Sequence, residues 1–283
     1  MSSPAIEDEV LRYDRRQIGR LRARVGSRFC DDAADFILGT SGPVLFGTGF
    51  YIAHARKPET DGPPGALALA RGFEKLGREV AFVTDEVCAE MMERLSEGRK
   101  LHVIPMGSGP AVAQAARDIL AQVSPGLLVA VERCGPDAEG RYLQFSGADI
   151  SEFTGRMEYL FEHGIPSIGI VDGGNEIGIG SVAHDVRSLP GLPDRPCVTE
   201  TDRIVLGGIA NWGAYGVLAA LSRRVGRVLL PSLSEEAEIR EAVVAAGAVD
   251  GDSGESIGAV DGYPSELNGL VLGRLHGILS NTH

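Results

Sequence analysis

The sequence predicts an α/β protein with a doubly wound, mostly parallel sheet, flanked by helices and preceded by an N-terminal helical extension. Its short apolar runs are continuous rather than alternating in polarity, which is typical of strands buried on both faces of a parallel sheet. Amphipathic helical patterns separate these runs, and such alternation requires crossover connections. The 283 residues, 43% of them hydrophobic and 38 of them glycine, suit a chain rich in tight turns.

The elements follow one another without a linker-like segment, so a single domain over 1–283 is predicted. Residues 1–30 carry charges throughout and lack an apolar signal core, so we expect a helical extension packed on the outside. The predicted strands are 43–50, 79–85, 100–106, 126–132, 166–172, 202–208 and, as a seventh, 227–232. Residues 204–221 carry no charge but contain Asn211 and Trp212, which favours a buried strand, turn and helix over a membrane span.

Composition narrows the class of partner. The formal net charge of -12 argues against nucleic acid and membrane surfaces as partners, because polyanions would be repelled. Four cysteines are scattered without metal-type spacing, which indicates reduced thiols and a cytoplasmic protein. The frequency of symmetric dimers among soluble proteins favours a homo-oligomer. We therefore expect a small-molecule ligand at the carboxyl ends of the strands, where ligands bind in doubly wound sheets.

The loop after the first predicted strand contains Thr60, Asp61 and Gly62 directly before Pro63 and Pro64. The two prolines favour a helix start. We expect an exposed helix N-terminus there that attracts carboxylates or phosphates through its free N–H groups. The alternative is a helix start that Asp61 simply caps.

Glu132 and Arg133 stand where the fourth predicted strand ends. The functional interpretation is a carboxylate base or metal ligand beside an arginine that grips a substrate carboxylate. The alternative is a surface ion pair of little energetic value.

The segment "VDGGNEIGIG" follows the fifth predicted strand. Asp172, Asn175 and Glu176 offer hard oxygen ligands suited to Mg²⁺ or Mn²⁺, and Gly173 and Gly174 let the backbone approach a ligand closely. The alternative is a glycine-rich turn whose polar side chains bind local backbone donors. The segment matches neither the phosphate-binding loop nor the dinucleotide fingerprint.

Two further segments stand near the end of the sheet. In "IANWGAYG", Asn211 either caps the following helix or donates to a substrate oxygen, and Trp212 belongs to the core. The pentapeptide "GAVDG" occurs at 247–251 and 258–262, which predicts paired turns whose aspartates add charge to the site. No lysine suits a Schiff base, and neither GxSxG nor HExxH occurs.

Together, "PETDGPPGA", "VER" followed by Gly135, "DGGNEIGIG", "NWGAYG" and "GAVDG" resemble, in order and spacing, the C-terminal domain of the D-glutamate cyclase family over roughly 40–275. The glycine motif departs from the family pattern at Ile179 and Ser181. The resemblance implies a mostly parallel α/β domain and a lyase that converts D-glutamate to 5-oxo-D-proline and water. It also makes a divalent cation, Mn²⁺ or Mg²⁺, a plausible cofactor.

The chemistry of this cyclisation assigns expected roles to the candidate residues. The α-ammonium must lose a proton to a base, and the γ-carboxylate must become a better electrophile. The predicted catalytic residues are Glu132, Asp172 and Glu176, and the predicted metal ligands are Asp172, Asn175 and Glu176. The predicted substrate-binding residues are Thr60, Asp61, Gly62, Arg133, Gly173, Gly174 and Asn211.

Three alternatives remain at the level of sequence. The chain could be a non-catalytic module that binds acidic amino acids, or another metal-assisted lyase or isomerase of small amino or hydroxy acids. In the third alternative, the loops only build a glycine-rich scaffold.

Overall fold

A computed structural model describes residues 5–280, which form a six-stranded parallel sheet flanked by helices. The α/β doubly wound fold predicted from the sequence is therefore confirmed. The strands of the sheet are β1 (Val44–Thr48), β2 (Val80–Asp85), β3 (Lys100–Ile104), β4 (Leu127–Val131), β5 (Ser167–Val171) and β6 (Arg203–Leu206). The helices are α1 (Ile6–Val10), α2 (Arg22–Val25), α3 (Phe29–Leu38), α4 (Pro63–Lys75), α5 (Ala89–Leu95), α6 (Pro110–Val123), α7 (Ala183–Ser188), α8 (Ala210–Val225), α9 (Leu233–Ala245) and α10 (Ser265–Ser280).

The strand order is β3-β2-β1-β4-β5-β6. The chain starts at the centre of the sheet, winds to one edge, and returns to build the other half from β4 outward. The order therefore reverses between β1 and β4, which pair in parallel from Val44 with Leu127 to Thr48 with Val131. In doubly wound sheets this switch point opens a crevice at the carboxyl ends of the two strands.

Helices α4 and α8 pack against each other over one face of the sheet, and two glycines set their distance. A Cβ on Gly72 would come within 2.4 Å of Leu218 Cδ2, and one on Gly65 within 2.9 Å of Ala214 Cβ. Helix α8 is buried from Ala210 to Ser222, which explains why the sequence around it carries no charge. Among residues 5–280, no helix has the length and apolar character that a membrane span requires.

The N-terminal extension is helical as predicted, but its placement on the outside is wrong. Ile6, Val10, Ile18 and Leu21 are all buried in the main hydrophobic core. The segment includes α1, a 3₁₀ turn at Ile18–Leu21, and α2. Residues 1–4 of the predicted extension lie outside the described part of the chain.

The seventh predicted strand, 227–232, is also wrong. Leu229 and Leu230 are buried in an irregular connection, where the Leu229 amide donates to Ser222 Oγ at 2.8 Å. Ser232 then caps α9. A short antiparallel hairpin after β1 was not predicted; its two strands, Tyr51–Ile52 and Lys57–Pro58, are two residues long each. Short 3₁₀ turns occupy Ser151–Phe153, Met157–His163 and Gly180–Val182.

Candidate active site

Buried carboxylates converge beyond the carboxyl ends of β1, β4 and β5. The carboxylate oxygens of Asp61, Asp172 and Asp261 lie within 4.8 Å of one another, as do those of Glu132, Asp172 and Glu176. Asp172 belongs to both groups. Glu59 lies close to Asp261, because both carboxylates approach Gly251. A Cβ added to that glycine would lie 2.8 Å from Glu59 Oε2 and 2.5 Å from Asp261 Oδ1. We call these side chains the acidic cluster: Glu59, Asp61, Glu132, Asp172, Glu176 and Asp261.

Two members of the acidic cluster stand on unusual backbone. Glu132 has φ of 43° and Asp261 has φ of 51°, both in the left-handed region, at a cost of about 1–2 kcal/mol for a residue with a Cβ. Gly62 packs so closely against this turn that a Cβ added to it would lie 2.9 Å from Glu132 Cβ. The left-handed turn ends β4 abruptly and places the Glu132 carboxylate beside Asp172.

The glycine-rich turn after β5 folds back on its own acid. Glu176 Oε1 accepts from the Gly173 amide and Oε2 from the Gly174 amide, each at 2.7 Å. A Cβ on Gly173 would lie 2.8 Å from Asn175 Oδ1 and 2.9 Å from Glu176 Oε1. Asn175 Nδ2 donates to Leu143 O at 3.0 Å. The turn thus combines both sequence interpretations: its acid binds local backbone and also faces the cluster.

Asp61 and Asn211 cap each other's helices. Asp61 accepts from the amides of Ala210 at 2.7 Å and Asn211 at 2.9 Å, at the start of α8. Asn211 Oδ1 accepts from the amides of Gly62 at 3.1 Å and Gly65 at 2.7 Å, at the start of α4. The expectation of an exposed helix N-terminus after Asp61 is therefore wrong, because these donors are buried and already bonded.

The predicted substrate-binding residue Thr60 lies in the same buried connection. Its hydroxyl donates to Ala259 O at 2.9 Å, and its carbonyl accepts from Asn211 Nδ2 at 3.2 Å. The structure therefore gives Thr60, Gly62 and Asn211 local partners beneath the cluster, and only the carboxylate of Asp61 faces the other acids.

Arg133 points away from the acidic cluster. Its guanidinium donates to Gly49 O at 2.7 Å and Gly155 O at 2.6 Å, and pairs with Asp85 at 2.7 Å. It is buried, so this geometry does not support the predicted contact with a substrate carboxylate. Neighbouring residues at a strand end point in opposite directions, and here Glu132 takes the side of the site.

Arg16, which sequence reasoning missed, is the arginine that reaches the cluster. Its Nη1 contacts Asp172 and lies 2.9 Å from Asp261 Oδ2, and its Cζ lies 5.1 Å from the centre of the Phe145 ring. It belongs to the extension before β1. The local sequence "RYDRRQIG" looks like a solvated surface, so no pattern marked one of its arginines for burial.

The electrostatics of the acidic cluster are unbalanced. Burial, reinforced by neighbouring carboxylates, raises the pKa of Glu59 and of Glu132 well above the ordinary value. Burial likewise raises the pKa of Asp172 far above normal despite the opposing charge of Arg16. The pKa of Asp61 rises to about 7, for burial first and Asp261 second. At neutral pH the cluster therefore holds protons or requires additional positive charge.

Several cluster oxygens have no partner. Glu59 Oε1, Glu132 Oε2, Asp172 Oδ2 and Asp261 Oδ1 are buried without a hydrogen bond. An unpaired buried carboxylate oxygen is costly, and hard oxygen ligands at this spacing are what Mg²⁺ and Mn²⁺ prefer. The residues present thus fit a divalent cation, with Glu132, Asp61 and Asp261 as further candidate ligands beside the predicted Asp172 and Glu176.

A cavity of about 540 Å³ lies over the cluster, lined among others by Arg15, Arg16, Phe50, His54, Glu132 and Asn175. Its size suits a small molecule. Its floor is acidic, and its guanidinium groups come from the N-terminal segment.

Comparison with known proteins gives a concordant result. The family model described as D-glutamate cyclase-like, C-terminal matches residues 13–276. The protein named D-glutamate cyclase, mitochondrial, from Homo sapiens is 33% identical over 220 residues, which cover 70% of this chain and 36% of that protein. The chain therefore spans little more than a third of that relative's length. The family match begins before Arg16, and so includes the N-terminal segment of the site.

Proposed function

Because the chain belongs to the D-glutamate cyclase-like family, we propose that it catalyses the dehydrating cyclisation of D-glutamate to 5-oxo-D-proline. The observation that carries this proposal is the buried acidic cluster with unpaired oxygens beneath a cavity of small-molecule size. The preference for the D enantiomer rests on the family alone.

The reaction consumes a single substrate and releases water. The ammonium of the substrate loses a proton, its nitrogen attacks the γ-carboxyl carbon, and the new N–C bond replaces a C–O bond. Both protons lost from nitrogen leave with the departing oxygen as water, so no other reactant is consumed. Holding the substrate curled gives the attack its intramolecular advantage.

Glu132 is the proposed base. Its Oε2 is buried and unpartnered, and its raised pKa brings it closer to that of an ammonium, which favours proton exchange between the two. Asp172, which is shared by both carboxylate groups, and Glu176 are proposed to hold a divalent cation. Such an ion, when bound, would draw charge from the γ-carboxylate oxygens.

The remaining parts of the proposal concern partner and compartment. The net charge of -12 argues against nucleic acid or a membrane as the partner. A small acidic amino acid as the ligand is supported by the family and by the guanidinium groups of Arg15 and Arg16 in the cavity lining. The four cysteines are all unpaired and buried, which supports a reducing compartment such as the cytoplasm.

Proton NMR of the purified protein with D-glutamate tests the proposal. We expect the signals of 5-oxoproline to appear with Mn²⁺ or Mg²⁺ present and to disappear with a chelator. L-Glutamate should react at least about 10-fold more slowly, a difference of about 1.4 kcal/mol in barrier.

The matched variants are Glu132→Gln and Glu158→Gln. Glu158 is also a buried glutamate, but it accepts from Tyr142 Oη at 2.6 Å, outside the cluster. We expect turnover to fall about 100-fold or more in the first and to remain near the original rate in the second. No cyclisation of either enantiomer with metal bound would contradict the proposal and favour another acid or a binding module.

A further inference from the structure

The carboxylates that a cation would use are in contact with an arginine. Arg16 Nη1 lies against Asp172 and Asp261, which are two of the three residues in the group Asp61, Asp172 and Asp261. Each of the two carboxylates keeps one unpartnered oxygen, Asp172 Oδ2 and Asp261 Oδ1. A divalent cation bound there would therefore lie within a few ångströms of a guanidinium group of like charge.

Like charges at this range in a buried site repel strongly, because little water screens them. The guanidinium also draws electron density and hydrogen-bonding capacity from the same carboxylates. Arg16 and a divalent cation must therefore weaken each other's binding.

The backbone that carries Arg16 is fixed. Asp14 accepts from the amides of Ile18 at 2.9 Å and Gly19 at 2.8 Å, and Tyr263 Oη donates to Tyr13 O. Ile18 is fully buried two residues after Arg16. A displaced guanidinium would therefore move by side-chain rotation.

The cavity offers the displaced side chain a place to go. Arg16 lines it, and its side chain is 20% exposed. Arg15, the neighbouring guanidinium in that lining, is held at the rim by Asp252 at 2.5 Å and lies over the Tyr263 ring. A guanidinium turned toward the cavity could bind a carboxylate through two parallel hydrogen bonds.

We propose that the Arg16 guanidinium is the internal cation of the metal-free acidic cluster. A divalent cation displaces this guanidinium from Asp172 and Asp261 into the cavity, and there the guanidinium binds a carboxylate of the substrate. The inference rests on the proposed function for the cation site and for an acidic substrate. It makes Arg16, rather than Arg133, the residue that recognises the acid. Because binding couplings are reciprocal, the cation and a carboxylate ligand should each strengthen the binding of the other.

Isothermal titration calorimetry of the metal-free full chain with Mn²⁺ alone tests the first half. Arg16→Gln should bind Mn²⁺ at least about 10-fold more tightly than the unchanged protein, because the competing charge is gone. Arg16→Lys, which keeps the charge, should stay within about threefold. The control is Arg20→Gln on the same segment, whose guanidinium contacts Pro190 O at 2.9 Å and should leave Mn²⁺ affinity unchanged.

Titration with glutarate tests the second half, because this diacid lacks the amine and cannot cyclise. In the unchanged protein, saturating Mn²⁺ should tighten glutarate binding at least about 10-fold. Arg16→Gln should reduce that coupling to the part that direct attraction between Mn²⁺ and a glutarate carboxylate supplies. Arg16→Lys should weaken glutarate binding, since the ammonium lacks the planar fork.

Three results would overturn the inference: equal or weaker Mn²⁺ binding by Arg16→Gln, undiminished glutarate coupling in that variant, or no Mn²⁺ binding by either protein. If Arg16→Gln unfolds without metal, recovery of its fold on adding Mn²⁺ supports the inference, and failure to recover overturns it. A failure of the cyclase assignment alone would give a different pattern. The NMR assay would then show no 5-oxoproline, while the coupling between Mn²⁺ and glutarate in the titrations would remain.

Discussion

Two arginines that contact buried carboxylates, Arg133 and Arg16, have opposite surroundings. Arg133 meets one carboxylate, Asp85, and two backbone carbonyls. Arg16 is a single cation among several acids and contacts both Asp172 and Asp261. The first arrangement is locally balanced, whereas the second leaves a large excess of negative charge.

This difference separates architecture from function. A buried charge that is neutralised by a neighbouring opposite charge holds loops together, and it leaves no excess charge to attract a ligand. A cluster that is left unbalanced stores unfavourable electrostatic energy that a bound cation or substrate can relieve.

The Arg133 region should show the largest effect on stability. We expect Arg133→Met to lower the free energy of unfolding by about 3–5 kcal/mol, because the buried Asp85 loses its opposite charge. Urea denaturation measures this, with and without Mn²⁺, and the loss should be equal in both conditions. Adding Asp85→Asn should recover part of it. A loss that Mn²⁺ reverses would place Arg133 in the site after all.

The Asp172 position should behave in the opposite way. Asp172→Asn should reduce D-glutamate turnover by about 100- to 1000-fold, because this carboxylate is shared by both candidate ligand groups. The metal-free variant should unfold at the same urea concentration as the unchanged protein or a higher one, since a repelled charge has been removed. Asp137→Asn, at a buried acid paired with Arg195 at 2.9 Å, is the control that should retain turnover. Marked destabilisation of metal-free Asp172→Asn would contradict the unbalanced state of the cluster.

The imbalance also predicts how pH acts on the metal-free protein. The pKa of Asp61 rises from 3.8 to about 7 on folding, so the native state keeps a proton that the unfolded chain releases. The free energy of unfolding should therefore fall as pH rises from about 4 to 7. Urea midpoints measured across that range should fall without metal, and saturating Mn²⁺ should reduce or reverse the trend. A rising midpoint in the metal-free protein would refute this sign.

The smallest effect should come from the caps beneath the cluster. Asn211→Ala should cost about 1–2 kcal/mol of stability, because the amides of Gly62 and Gly65 lose their acceptor. Urea denaturation and Mn²⁺ titration together separate support from ligand binding. Mn²⁺ affinity should stay within about threefold, and a larger loss would assign Asn211 a direct role at the cation.

Much of this fold can be predicted from the sequence because its strands are buried on both faces. Continuous apolar runs located all six strands of the sheet to within a few residues. The seventh strand was predicted wrongly at 227–232 because Leu229 and Leu230 are buried in an irregular connection. Apolar content alone does not distinguish a buried strand from a buried irregular segment.

The site could be predicted only where it lies on the loops after strands. Asp172 and Glu176 stand out because acids crowd around glycines at a strand end. The pairing of Asp61 with Asn211 spans 150 residues, so no local pattern marks it. Arg16 was missed because its burial depends on a tertiary contact with Asp172 and Asp261, while its sequence neighbours are those of an exposed turn.

The mutual capping of α4 and α8 has an electrostatic consequence. Both helices begin beside Asp61, and each helix N-terminus carries about half of a positive elementary charge from its aligned peptide dipoles. Two such ends together direct about one positive charge at Asp61 and the carboxylates around it. The formal net charge of -12 counts side chains only, so it omits this contribution. The backbone itself thus supplies part of the field that lets so many carboxylates be buried together.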